Sequence, residues 1–255
     1  MRKESGSGNI DMRTDGMLAV DMRRMFTQKT VYIMLAVSMA IPILTLTMTS
    51  MVGGDAEGVL FTNVWQAVGS LSAAGMSMDL TTMCNINLIY FLAAILFCLF
   101  IAADFRSGFC KNLFTVRTKK TEYAISKITV CFLSGILMLL AYFAGAMIGG
   151  AVSGLSFEMN GFGPGSLLLC MLSKILLMAV FSAIYVAAGI FAKHRVWLSI
   201  LLSLCIGMFL FMIIPMMTPL DATLIHVLMC LAGGILFALA AGKAGGMMLR
   251  KIDIL

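Results

Sequence analysis

Catalysis needs a nucleophile, a base or a metal ligand at a workable spacing, and this chain offers few. Its only histidines are His194 and His226. A zinc protease needs H-E-x-x-H, which sets two imidazoles and a glutamate base on one helical turn; no such run occurs. An intramembrane serine protease needs G-x-S-G, and the stretch Gly150-Ala-Val-Ser-Gly154 misses it by one position. The nearest approach to a phosphate loop is Gly242-Lys243, with Ala244 in place of the Mg-binding Ser or Thr and Phe237 in place of the first glycine. The seven cysteines form no C-x-x-C pair, so neither a zinc site nor a disulfide framework is indicated. Cys98, Cys131, Cys170, Cys205 and Cys230 fall inside apolar runs and read as packing residues. No catalytic, cofactor or metal residue is expected in this chain.

The elements that carry these residues are hydrophobic. Of 255 residues, 61% are apolar or aromatic and 12% are charged, against roughly 45–50% and 25% in soluble domains. A soluble chain so poor in charge would expose large apolar patches. An ordinary soluble enzyme, a nucleic-acid binder and a disordered tail are therefore excluded. Apolar runs cover about 31–51, 88–103, 128–152, 167–192, 197–214 and 223–243. About 20 apolar residues cross the hydrocarbon core as helix, so the expected fold is all-α, a polytopic membrane protein of six spans. Val31–Met51 is too long for a signal-peptide core, and Pro42 inside it is tolerable where neighbouring helices pack.

Orientation follows from the basic residues. Val59–Leu80 is moderately apolar, but counting it as a span would move the loop 104–127, with its six Lys and Arg, to the side opposite the N-terminus. Left outside, the segment 52–87 joins 153–166 and 215–222 as outer stretches without Lys or Arg; they carry Asp55, Glu57, Asp79, Glu158 and Asp221 instead. The positive-inside rule then sets both termini in the cytoplasm, with the chain in the cell membrane. Leu60, Val64, Val68 and Leu71 predict an outer helix lying on the membrane surface.

Residues 1–30 form a cytoplasmic tail and lead-in, and 31–255 the membrane domain. Leu18, Met22, Met25 and Phe26 share one helical face, with Asp21, Arg23, Arg24 and Gln28 on others. That pattern predicts an amphipathic interfacial helix capped by Asp15 and turning into the membrane near Thr30, after a disordered stretch 1–14. Small residues recur every fourth position at Ala141, Gly145, Gly149, Ser153 and at Gly234, Ala238, Gly242, Gly246. Such stripes let helices approach closely, here within one chain in preference to a dimer seam.

Two places remain where polar residues invite a role. Lys174 is the one plainly intramembrane charge; it either snorkels outward or pairs with Glu158 or Asp221, or it faces a path and meets acidic or polar cargo. No Asp or Glu lies within a span except Asp104 at the inner boundary, which leaves ion-coupled transport little to work with. In the loop 104–127, Phe109 and Leu113 stand four apart with Lys111 and Asn112 turned away. This is either a short helix pressing an apolar face into a partner's groove or a solvated positive-inside loop. Spacing alone does not separate the two.

The chain resembles the permease subunits of type-2 ATP-binding-cassette exporters, the small bacterial kind linked to lantibiotic, bacitracin or multidrug export. The resemblance covers nearly the whole chain. It rests on the amphipathic lead helix, the six spans and the D-F-R-S-G-x-x-K-N pattern at Asp104–Asn112. The lead Tyr123…Ser126-Lys127 into span three and the closing Arg250-Lys251-Ile-Asp253-Ile254 also belong to it. It implies that the loop helix docks on a separate ATPase, a role carried onto Phe109, Lys111, Asn112 and Leu113. It also implies two copies of that ATPase, which bind the ATP and Mg, a second permease chain, identical or a sister, and export of a peptide, antibiotic or other amphipathic substrate. The alternatives are a secondary, ion-coupled transporter and a non-transporting membrane partner that senses or confers immunity.

Overall fold

The computed structural model describes residues 8–52, 61–72, 84–115, 120–193 and 195–250. Among these the helices are α1 (Gly8–Thr27), α2 (Lys29–Val52), α3 (Leu88–Arg106), α4 (Phe109–Thr115), α5 (Lys120–Ser153), α6 (Pro164–Ala192), α7 (Val196–Phe211), α8 (Ile214–Met217) and α9 (Leu224–Arg250). Five are long and apolar enough to cross a membrane: Lys29–Met51, Leu88–Arg106, Lys120–Ser153, Pro164–Ala192 and Leu224–Leu249. The protein is an all-α integral membrane protein.

The run 197–214 behaves differently. It yields the shorter α7, about 24 Å at ~1.5 Å per residue, and then the four-residue α8 with Pro215 in its first turn. Pro215 has no N–H to bond the Phe211 carbonyl four residues back and its ring crowds that carbonyl, so the first helix ends at Phe211 and the apolar run breaks into two helices.

The turn into the membrane falls at Gln28, between α1 and α2, close to the expected Thr30. The start of α1 corrects the expectation of disorder for 1–14. Helix begins at Gly8, ahead of Asp15, while residues 1–7 lie outside those described. Gly8–Thr27 contains no proline, and once its packed half has nucleated, adding turns is easy. That packed half sits against α5. Met25 is buried there as expected, but so is Asp21, which the sequence assigned to a polar face.

Core placement follows side-chain size. α6 is the hub and packs on α3, α5, α7 and α9. Tyr90 of α3 stacks on Phe181 at 4.6 Å, and Phe97 meets Tyr185 at 6.3 Å. α2 runs unbroken through Pro42 because α5 offers glycines against it. A Cβ on Gly145 would stand 2.2 Å from the Met39 carbonyl oxygen, and one on Gly149 would stand 2.9 Å from the Ile43 Cα. This small-residue stripe is used within the chain, and a methyl group at either position would force α2 away.

At the opposite end from α1, the strap 61–72 corrects the expected surface helix. Only a 3-10 turn forms, at Val64–Ala67, and Val64 and Val68 are fully buried; Leu60 lies outside the described residues. The apolar spacing is satisfied by protein, not lipid. Asn63 caps the turn by accepting from the Trp65 N–H, and its amide donates to the Glu158 carbonyl at 2.7 Å. Trp65 Nε1 donates to the Phe157 carbonyl at 2.9 Å. The N–H of Ile86 bonds to Ala67 O at 2.8 Å, and that of Leu220 to Ser70 O at 2.8 Å. The strap thereby ties together the loops at this end of the bundle.

Candidate functional site

At the α1 end, three helices bring a charged cluster out of solvent. Asp21 and Arg24 stand three positions apart on α1, and Asp104 lies in the last turn of α3. Tyr123, Ser126 and Lys127 share a face of α5 at spacings of three and four. The Lys127 ammonium meets Asp21 Oδ1 at 2.7 Å and Asp104 Oδ2 at 2.5 Å, and all three side chains are fully buried. Ser126 Oγ donates to Asp21 Oδ2 at 2.7 Å, and Tyr123 OH donates to Asp104 Oδ2 at 3.1 Å. Arg24, partly exposed, pairs with Asp104 Oδ1 at 2.8 Å. Two cations thus face two carboxylates. Burying charge is expensive unless its partners are complete, and the hydroxyls of Ser126 and Tyr123 fill sites the ammonium leaves open. The face of Phe100, 4.2 Å from Lys127 Nζ, completes the lysine's surroundings.

The seven-residue α4 sits on this cluster. The Arg24 guanidinium lies 3.9 Å from the centre of the Phe109 ring. Cys110 is buried and donates to Tyr123 OH at 3.4 Å; burial pushes its thiol up to about 11, with the Tyr123 contact pulling the other way. Leu113 and Phe114 pack against the core, and the Phe114 ring meets Tyr123 edge-on at 5.6 Å. Of the four loop residues singled out in the sequence, Phe109 and Leu113 thus lean on this chain's own membrane part. Asn112 is exposed, and the Lys111 side chain lies outside the described residues.

At the other end, Lys174 is fully buried. It neither snorkels nor pairs with Glu158 or Asp221. Its ammonium donates to Asn87 Oδ1 at 3.0 Å and to Thr218 Oγ1 at 2.9 Å, while Tyr90 OH donates to its carbonyl at 2.8 Å. Asp221 is taken by Ser72, whose backbone N–H donates to Oδ1 at 2.8 Å and whose hydroxyl donates to Oδ2. Partial burial alone would raise the Asp221 carboxyl, but these hydrogen bonds hold it below the usual range. The strap is directly above: a Cβ on Gly69 would lie 3.8 Å from Lys174 Cε.

Asp21 and the Asp104–Lys127 pair escaped the sequence reading, although two signals pointed to them. Asp104 ends one apolar run where Lys127 begins the next, so opposite charges lie at one depth. Asp21 falls between Leu18 and Met25 at helical spacing, on the apolar face itself.

A family model described as ABC-2 family transporter protein matches residues 23–213. No curated protein and no solved structure matches the chain. The matched stretch contains α4, Lys174 and every member of the charged cluster except Asp21. Its members are membrane components of transport, and the family implies pairing with an ABC ATPase subunit. The chain belongs to the ABC-2 transporter family and is the membrane subunit of an ABC transporter.

Proposed function

We propose that this chain is the permease of an exporter that moves a peptide, antibiotic or other amphipathic substrate out of the cell. Two copies of a separate ATPase bind and hydrolyse the ATP with Mg, and this chain itself makes and breaks no bonds. A second permease chain, identical or a sister, completes the path. The chain crosses the cell membrane six times, with α7 as the short fifth span and both termini in the cytoplasm. The observation that carries this reading is the seat of α4. A short helix between two spans rests on Arg24 through Phe109, on Tyr123 through Cys110 and Phe114, and on the core through Leu113, so a pull on α4 is felt by α1, α3 and α5 together. The cargo class rests on the sequence resemblance.

Topology is testable directly. In a cysteine-free background, Asn160→Cys should react with an impermeant maleimide in intact cells, and Arg106→Cys should react only after permeabilisation. Both positions are exposed, so burial does not confound the readout. External labelling at position 106 would sink the six-span arrangement.

Lys174 is proposed to line the path once the strap lifts. An ammonium held, among the described residues, only by neutral partners is poorly compensated for its lost hydration, so it is primed for an acidic or polar group on the cargo. Lys174→Met keeps the volume and removes the charge. In vesicles holding permease and ATPase, wild type should move an amphipathic peptide in an ATP-dependent manner. The variant should lose most of that movement at unchanged yield. Transport that persists at the wild-type rate leaves Lys174 a structural role alone.

A further inference from the structure

An apolar groove of about 500 Å³ opens between α6, α7 and α9, a volume within the range of small-ligand sites. Its floor includes Ala187 and Phe191, one wall Leu202 and Ile206, and the other wall Ala240 and Ala244. The alanines make the space. Along α9 the lining runs from Phe237 to Met248, about 16 Å at ~1.5 Å per residue. Half of a hydrocarbon core ~30 Å thick is nearly the same length. Basic residues flank the Phe191 end of the groove: Lys193 follows Phe191 by two residues and Arg195 opens the turn into α7, while Lys243 lies midway along the α9 lining. All three are exposed, and among the described residues none has a side-chain hydrogen bond or ion pair. From 164 to 250 the sole acidic residue is Asp221, which sits beside the strap at the far end.

We propose that this groove binds one anionic phospholipid, with an acyl chain along α9, the phosphate at Lys193 and Arg195, and Lys243 reaching toward it from midway along the helix. The length matches a single leaflet, the lining offers nothing polar for a peptide backbone to bond, and Lys193 and Arg195 stand at the end where a headgroup would lie. A zwitterionic lipid would fill the groove but gain little from the cations. Each basic residue near such a headgroup is worth on the order of fivefold in affinity.

The test is native mass spectrometry of the detergent-purified chain with phosphatidylglycerol or phosphatidylcholine added. Wild type should retain one phosphatidylglycerol at least tenfold better than phosphatidylcholine. The triple variant Lys193→Gln, Arg195→Gln, Lys243→Gln should hold the two lipids equally. Ala240→Phe with Ala244→Phe should fill the groove and lose both, while eluting from a sizing column as wild type does. Phosphatidylglycerol retained by both variants would overturn the proposal. So would loss of a dimer on filling the groove, which would assign the surface to a second copy of the chain.

Discussion

Lys127→Met should be among the most damaging single substitutions in this chain. It leaves the buried carboxylates of Asp21 and Asp104 with Arg24 as their one remaining cation among the described residues. Removing one partner of a buried ion pair costs about 3–5 kcal/mol, against a total stability of roughly 5–15 kcal/mol for a folded domain. The expected result is a steep fall in the monodisperse fraction after solubilisation and a lower midpoint on heating. Charge balance makes the experiment discriminating. Adding Asp21→Asn to Lys127→Met leaves Arg24 facing Asp104, one charge against one, and should restore at least half of the lost stability. Lys127→Met that melts like wild type would mean the cluster is solvated and contributes little. A double variant no better than the single would assign the loss to the lysine's packing on Phe100, not to its charge.

Five of the expected spans were legible because hydrophobic length is a one-dimensional signal. The run 167–192 became Pro164–Ala192, with Pro164 at the first helical positions where its missing N–H is harmless. The run 128–152 became the far part of Lys120–Ser153. What length and composition do not encode is the neighbour. α6 and α9 read alike as apolar spans, yet α6 is mostly buried in protein and α9 mostly exposed, because lipid and protein interior are equally apolar solvents for a leucine. The same ambiguity misled the reading of Val64 and Val68, whose spacing demanded an apolar surface and found the bundle instead of the bilayer.

The charged cluster was hidden for a different reason. A buried ion pair joins residues distant in sequence, here Asp21, Asp104 and Lys127, and each alone reads as a boundary charge. Only tertiary contact shows that α1 crosses the boundary between the two spans and supplies the second carboxylate. The α4 reading was partly legible. A period of four correctly placed Phe109 and Leu113 together, but period is silent on whether that face meets a partner or the chain's own α1 and α5.

Phe109→Ala combined with Leu113→Ala should therefore uncouple the ATPase from behind. Seven residues are too few to hold a helix in water unaided, so α4 keeps its shape because it is seated. The double change removes the ring beneath Arg24 and the leucine packed on the core. Fully buried truncations cost about 2–5 kcal/mol each, and these half-buried ones on the order of half that. A loss of ~1.4 kcal/mol already weakens docking tenfold, so capture of the ATPase by the tagged permease should fall well beyond that. The spans, untouched by either change, should still insert and elute normally. Asn112→Ala at the exposed surface should do less, since a single exposed polar contact is worth about 0.5–1.5 kcal/mol. A second readout separates loss of the seat from loss of a direct contact. With Cys110 as the sole cysteine, its buried thiol at about 11 should alkylate slowly near pH 8, because little thiolate is present. In the double variant it should react faster as α4 loosens, and with Asn112→Ala it should stay slow. If the double variant captures ATPase and transports like wild type, α4 is only a cytoplasmic anchor and its proposed role in coupling fails.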